Sequence, residues 1–262
     1  MTDTQDTKPM VRKKLNRVGI TNLTTLIETN WRGRRYKFTP KTEITIDLEK
    51  DKKGVHMSRL IEAIAEALEE ETQKSAGSIE EIEKHVLQRL MKTHPHNLAE
   101  ITMRADLIVE KKTPATNKKT NEAHKVSITV VREGENFEKT LSVEVVGNTV
   151  CPHSMQTAGY PHIQRAIAYL TIIAQYADPI SLEDMIECAE KSFSSEVYTL
   201  LKTEDEKHVV RKMHENPKFV EDVVREILGN AEKKFPNARV HAKVISHESI
   251  HRHDVVAEGS ND

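Results

Sequence analysis

"TEITIDLEKDKKGVHMSRLIEAIAEALEE", Thr42 to Glu70, changes its hydrophobic period midway, and that change decides the fold. The first seven residues alternate, with Ile44, Ile46 and Leu48 on one face and Glu43, Thr45 and Asp47 on the other. A period of two marks a half-buried strand. From Ser58 the period lengthens: Leu60, Ile61, Ile64 and Leu68 share one side of a helix, with Glu62, Glu66 and Glu69 to Glu71 opposite. Ser78 and Glu81 form a capping box opening a second helix, whose stripe is Ile79, Ile82, Val86 and Leu90 and whose end is "THPHN". Strands return with Ile101, Met103, Ala105, Leu107 and Val109, then with "KVSITVV". Upstream, "NRVGITNLTTLIETNWRGRRYKF" is rich in β-branched residues, and its glycine-centred "WRGRR" suits a hairpin turn.

The same order then begins again. Phe137 to Val150 alternates through Leu141, Val143 and Val145, and "RAIAYLTIIAQY" supplies a second strand. Ser181 opens a helix with core face Leu182, Met185, Ile186, Ala189 and Phe193. Asn216 and Pro217 suit the N-cap and first turn of another, with Phe219, Val220, Val223, Val224 and Ile227 buried. Val240, Ala242 and Val244 alternate, and "DVVAEG" closes the chain. Strand-strand-helix-helix-strand-strand thus occurs twice, jointed at the "REGEN" turn near Gly134. The expectation is an α+β protein of two tandem modules, 10–134 and 135–262. Each is a four-stranded antiparallel sheet with two helices on one face.

Composition narrows the function. The 262 residues carry 39 basic and 41 acidic side chains, a net charge of −2, so no global field draws the chain to nucleic acid or a membrane. An anionic ligand has to be held by a local cluster. Two cysteines, Cys151 and Cys188, cannot build a disulfide framework, and a reducing cytoplasm is the simplest setting. No run of about 18 apolar residues is present to span a bilayer. The opening "MTDTQDTKPM" reads as a disordered tail.

Two stretches compete to be the centre of the chemistry. "VISHESIHRHD", Val244 to Asp254, contains His-Glu-x-x-His, the zinc-peptidase pattern. That pattern works because its histidines lie one helical turn apart, whereas here it follows an alternating strand and precedes a β-branched one. On a strand His247 and His251 would stand about 13 Å apart and could not share a metal. "VGNTVCPHSMQTAGYPHIQRA", Val146 to Ala166, is the stronger candidate. Cys151 falls where a strand gives way to a loop, and a thiolate, an imidazole and a carboxylate together bind Zn²⁺ or Fe²⁺ with a position left open. A lone cysteine can equally be a small buried hydrophobe, which is how Cys188 reads within its helix. Among thirteen histidines, His94 and His96 flank Pro95 in a helix-ending loop and are expected to be solvated, as are His85, His208, His214 and His241, and His124 falls in a lysine-rich loop. His56, His153, His162, His247, His251 and His253 remain.

At this point several stretches, in order, resemble one family: "KGVHMSR", "VCPHS…GYPHIQR", "SSEVYTLLKTEDE", "HENPKFVEDVVR" and "HESIHRHDVVAE". They are similar to the type IB GTP cyclohydrolases, most of all to the archaeal branch of the methanopterin pathway, over about Arg17 to Glu258. The resemblance implies a tunnelling fold and a homo-oligomer, a tetramer, with active sites between subunits. It implies one divalent metal per subunit, Fe(II) by the archaeal likeness, though the ligand types also suit Zn(II) or Mn(II). Matching positions place the metal ligands at Cys151, His162 and Glu206 and the group that grips the guanine edge at Glu221. Glu248 and His251 fall in the last site segment, with His251 as general acid/base. His153 stands where many relatives have cysteine or serine, and it or His253 is available as a second base. Arg165, Arg59 and His56 are candidates for holding the triphosphate, the arginines being equally able to pair with neighbouring carboxylates. GTP is then the substrate and 7,8-dihydroneopterin 2′,3′-cyclic phosphate the product. A triphosphate product, or a purine- or pterin-binding protein without catalysis, are the alternatives.

Overall fold

The computed structural model describes residues 3–31, 34–74, 78–94 and 96–261. Two compact units divide the chain, Met1–Ala105 with Ser127–Thr140, and Asp106–Val126 with Leu141–Asp262.

The first unit contains β1 (Leu15–Thr24), β2 (Ile27–Trp31), β3 (Arg34–Phe38), β4 (Lys41–Leu48), α1 (Met57–Lys74) and α2 (Ile79–Thr93). β5 (Leu98–Lys112), β6 (Lys119–Glu133) and β7 (Asn136–Val150) contribute residues to both units. β1 pairs with β4 and β4 with β5, both antiparallel, so that Ile44 faces Ile101 across the ladder. β2 and β3 pair with Trp31 opposite Arg34, and Gly33 of the expected hairpin turn lies outside the described residues. Ile44, Ile46 and Leu48 are buried as the alternation requires.

Asp47, expected to face water, is buried instead. Its Oδ1 accepts the N–H groups of Asn97 (2.9 Å) and Leu98 (3.0 Å), and Lys14 Nζ stands 3.1 Å from Oδ2. Burial alone would raise its pKa, but these partners outweigh it and hold the carboxyl below its ordinary value. Helix α1 also differs from expectation. Its buried face is Leu60, Ala63, Ile64 and Ala67, while Ile61 is exposed. The buried face is turned from the one that residue size suggests, so that Ala63 and Ala67 lie on it and Ile61 does not. The capping box of α2 is present, with Ser78 Oγ accepting the Glu81 N–H (3.3 Å) and the Glu81 carboxylate accepting the Ser78 N–H (2.9 Å). His94 is buried and His96 half-buried, contrary to the solvated reading, because both line a cavity with His56, whose ring centroid is 6.0 Å from that of His94.

The second unit adds α3 (Pro152–Ala158), β8 (Ile163–Gln175), α4 (Leu182–Ser192), β9 (Ser195–Glu196), α5 (Thr203–Glu215), α6 (Val220–Lys234), β10 (Arg239–Ser246) and β11 (Val255–Ser260). β7, β8, β10 and β11 are successive neighbours, and β9 pairs antiparallel with β7. α6 packs on β10 and β11, and α4 packs on α6. The five residues expected on the core face from Ser181 are all buried, and Ser181 Oγ caps the helix by accepting the Asp184 N–H. Each of the four larger side chains contributes about 1.5–3 kcal/mol when withdrawn from water, which is what holds the helix in place.

Asn216 and Pro217 do not open α6. It starts at Val220 with Phe219 as N-cap, whose N–H donates to the Asp222 carboxylate (3.2 Å) and whose ring stays 44% exposed. The preceding stretch is extended because Lys218 makes a β-bridge to Val150, while Asn216 Nδ2 donates to the carbonyls of Phe193 and Ser194. Helices α3 and α5 were not expected from the pattern; α5 buries only Asp205, Val209 and Met213, too sparse a stripe to stand out. Among the described residues the architecture is α+β, with antiparallel pairing and six α-helices.

Gly147 on β7 leaves room for the Phe193 ring: a Cβ there would lie 2.2 Å from ring atoms. Gly147→Ala is expected to destabilise by about 1–3 kcal/mol through overpacking, read as a lowered thermal midpoint. Gly229→Ala on α6, where an added Cβ meets nothing within 4 Å, should be neutral or stabilising. Equal midpoints for wild type and Gly147→Ala would contradict this packing.

Candidate functional site

The ends of β7, β8 and β10 come together because the sheet pairs them in that order. At the first junction the Cys151 N–H donates to the His162 carbonyl (3.2 Å); at the second the His247 N–H donates to the Arg165 carbonyl (2.9 Å), next to the pair Ser246 and Ala166. Cys151 leads into a helix rather than a loop, as the N-cap of α3 with Pro152 in its first position. The Ser154 N–H points at Cys151 Sγ (3.4 Å), and Ser154 Oγ both donates to the Cys151 carbonyl (3.2 Å) and accepts the His162 N–H (3.1 Å). Gly159, in the left-handed region at φ 74°, ends α3 and turns the chain back toward His162.

A polar chain continues from His162. Its Nδ1 lies 2.9 Å from Gln164 Oε1, Gln164 Nε2 donates to Glu248 Oε1 (3.2 Å), and Ser246 Oγ donates to the same oxygen (3.0 Å). Thr149 Oγ1 lies 2.9 Å from Ser246 Oγ. Glu248 therefore joins the Cys151–His162 edge, while the rest of its His-Glu-x-x-His segment does not form a helix. The residues between β10 and β11 make bends, so His247 and His251 lack the one-turn spacing of a peptidase. His247 Nδ1 pairs with Asp254 (3.1 Å), and exposed His251 stacks on His253 with ring centroids 5.1 Å apart.

Helix α5 carries Glu206, which is exposed. Val209 and Met213 pack on Val150, directly before Cys151, together with Ile163, Tyr198 and Leu201. Asp205, which the sequence reading passed over, fixes this helix. Its carboxylate accepts the N–H groups of Ala115 (2.9 Å), Thr116 (2.8 Å) and Lys202 (3.0 Å) and the Thr116 hydroxyl (2.6 Å). Burial works against its charge, yet those donors hold the carboxyl well below the ordinary carboxylate range. Glu221 is exposed in the first turn of α6, where free helical N–H groups favour a carboxylate. The Val150–Lys218 bridge brings the chain leading into that turn to the end of β7. His153 is exposed on α3, and Arg165 is exposed on β8. Cys151, His162 and Glu206 do not make a set with ligand atoms within 4.8 Å of one another; among the described residues only Asp3, Asp6 and His56 do.

His56 and Arg59 belong to the first unit and line a cavity of about 480 Å³ there, with Lys52, His94, His96 and Asn97. Its carboxylates are already engaged. Asp6 pairs with Lys52, Glu49 accepts from Asn97 Nδ2, and Asp47 is held as described. Asp3 and Asp6 face opposite nitrogens of His56, at 3.9 and 3.7 Å, which suits an imidazole between two carboxylates better than a shared metal. Arg59 Nη1 donates to the Thr93 carbonyl at 3.4 Å. Burial pushes the His96 imidazole below its ordinary pKa. Arg59 and Lys52 are the cations in the cavity lining, set against the carboxylates of Asp6, Asp47 and Glu49.

The fold has solved counterparts. Uricase from Arthrobacter globiformis superposes with a TM-score of 0.63 over 97% of this chain and 95% of its own, at 7% identity, a likeness of fold alone. A urate oxidase mutant from Bacillus sp. TB-90 gives 0.52 over 94% and 99%, at 11% identity. The sequence goes further: the family described as type I GTP cyclohydrolase folE2 matches residues 1–257, and the chain belongs to that family. Within it the likeness is to proteins named GTP cyclohydrolase MptA. The Pyrococcus abyssi protein is 54% identical over 261 residues, covering 98% of both chains, and that of Thermococcus kodakarensis 50% over 262, again 98% of both. The Methanothermobacter thermautotrophicus protein is 32% identical over 291 residues, covering 98% of this chain and 92% of its own. The family resemblance drawn from the motifs is borne out.

Asp205 gives this edge an acid limit. Its folded pKa lies below the unfolded value of 3.8, so the stability it contributes is complete above about pH 4 and is lost as pH falls through the folded value. Asp205→Asn is expected to melt below wild type at neutral pH, with the gap narrowing as pH drops below about 4. A gap independent of pH in acid would contradict this assignment.

Proposed function

We propose that this chain opens the imidazole ring of GTP, releases formate and pyrophosphate, and leaves 7,8-dihydroneopterin 2′,3′-cyclic phosphate for pterin or methanopterin synthesis. The observation that carries the reading is the junction at which Cys151 and His162 meet by a backbone hydrogen bond, with His162 Nδ1 already engaged by Gln164. A thiol, an imidazole and a carboxylate are donor types that suit a divalent metal. Cys151 caps α3 with the Ser154 N–H directed at its sulfur, which fixes where the sulfur points. Engagement of Nδ1 leaves Nε2 as the ligand nitrogen of His162, and Glu206 offers a carboxylate from the helix packed beside it. Fe(II) is the proposed ion, with Zn(II) or Mn(II) chemically competent; bound there, such an ion lowers the pKa of water toward neutrality.

The chain's own residues do the rest. Glu221 accepts the guanine N1–H and exocyclic N–H together, which fixes C8 for attack. Water adds at C8, the ring opens, and a second water releases that carbon as formate, with His251 moving protons. The ribose then opens and rearranges, and the freed amine condenses with its new carbonyl, losing water and closing the pterin ring. For the cyclic phosphate, the 2′-hydroxyl of the neopterin side chain, freed when the ribose ring opens, attacks the α-phosphorus on the neighbouring 3′-oxygen in line and pyrophosphate leaves; His153 or His253 takes the hydroxyl proton. Arg165, Arg59 and His56 hold phosphate oxygens. We further propose two tandem tunnelling-fold modules per chain, a homotetramer with active sites between subunits, and a cytoplasmic setting.

The test is incubation with GTP and Fe(II) without oxygen, with formate assayed and phosphorus NMR recorded. A cyclic phosphodiester signal and one pyrophosphate per formate are expected. A retained triphosphate would replace the product assignment, and unaltered GTP would leave only nucleotide binding. Two substitutions separate the roles. Cys151→Ser is expected to keep the fold and lose most metal and turnover, with Cys188→Ser unaffected in both. Glu221→Gln should hold metal normally yet lose activity, because an amide cannot accept both guanine N–H groups. Wild-type metal content in Cys151→Ser, or unchanged kinetics in Glu221→Gln, would remove that residue from the site.

A further inference from the structure

We infer that Gln164 is a positioning residue that sets the tautomer of His162, and that Glu248 acts on the site through it. The inference rests on the metal reading above only for its consequence, not for its geometry. Gln164 is nine-tenths buried between His162 and Glu248, and its amide touches both. A carboxylate only accepts hydrogen bonds, so Glu248 Oε1 requires the Nε2 end of the Gln164 amide. The amide can then present only its oxygen to His162, and an oxygen acceptor 2.9 Å from Nδ1 requires the proton to sit on Nδ1. The lone pair of His162 is thereby confined to Nε2. Ser246 holds Glu248 in place by donating to the same oxygen, and Thr149 lies within hydrogen-bond distance of Ser246 in turn.

Direct contact between Glu248 and the imidazole does not replace this chain. Glu248 Oε2 stands 3.8 Å from His162 Nδ1, outside hydrogen-bond distance. The register of β8 on β10 is what sets the separation. Ser246 faces Ala166, which leaves Glu248 one Gln side chain away from His162 and not in contact with it. The His-Glu-x-x-His letters thus acquire a use unrelated to a peptidase: their glutamate orients an amide that orients a ligand histidine. Groups in this position around a ligating imidazole typically change metal affinity by about 10- to 100-fold when removed.

The experiment uses full-length, metal-free protein with ¹⁵N-labelled histidine and long-range ¹H–¹⁵N spectra, the His162 signals being identified by their loss in His162→Gln. Wild type should show the proton on Nδ1. Gln164→Leu and the similarly sized Gln164→Met should both release that preference, and Glu248→Gln, which frees the amide to turn over, should give a mixture of tautomers. A proton on Nε2 in wild type, or an unchanged tautomer in both Gln164 variants, would overturn the inference. Co²⁺ added as the probe should bind Gln164→Leu about 10- to 100-fold more weakly than wild type, and equal affinity would overturn the effect on the metal. Failure of the metal reading itself looks different. Wild type would then lack a thiolate-to-Co²⁺ absorption band that Cys151→Ser abolishes, while the tautomer spectra would still decide the role of Gln164.

Discussion

Two backbone hydrogen bonds at adjacent strand ends, Cys151 N–H to His162 and His247 N–H to Arg165, are the constraint on which the candidate site depends. They fix which side chains emerge together from three neighbouring strands. One slipped residue would send Gln164 to the opposite face and break the contact with Glu248, since strand side chains alternate. The ladder is held from behind by burial: Val150, Ala166 and Val244 are essentially inaccessible, and α5 packs Val209 and Met213 onto the first of these. The core therefore does not merely stabilise this unit. It sets the register from which the chemistry projects.

Around that edge, polar groups are buried in pairs or networks, and the groups proposed to meet substrate are not. Asp205 collects four hydrogen bonds and Gln164 spans two neighbours, whereas Glu206, Glu221, His251 and Arg165 stand in solvent. A buried carboxylate is tolerable only when its lone pairs are satisfied. Exposed groups keep their capacity for a ligand or a second subunit. In the first unit the same rule operates in a cavity. Its carboxylates are matched internally by Lys14, Lys52 and backbone N–H groups.

Much of this was legible in the sequence. The switch of period after Leu48, the capping box at Ser78 and the buried face from Leu182 to Phe193 follow from spacing alone, because each rests on near neighbours in the chain. Where spacing misled, a long-range contact was responsible. Asp47 is buried by backbone donors fifty residues away, and Pro217 lies in an extended stretch because Lys218 bridges Val150. Cysteine scarcity and the histidine two residues before Gln164 marked the site region, but no local pattern connects Gln164 to Glu248, 84 residues on. Family membership was carried by the order of several motifs, none of which is specific by itself.

The claim on which the account turns is that Cys151, His162 and Glu206 hold one divalent metal ion. Anomalous X-ray diffraction at the iron edge, from crystals grown without oxygen with Fe(II), tests it most directly. The account predicts one strong peak per chain within bonding distance of Cys151 Sγ, His162 Nε2 and a Glu206 carboxylate oxygen. A peak placed elsewhere, such as between Asp3, Asp6 and His56, or the absence of any peak in crystals of active enzyme, would contradict it.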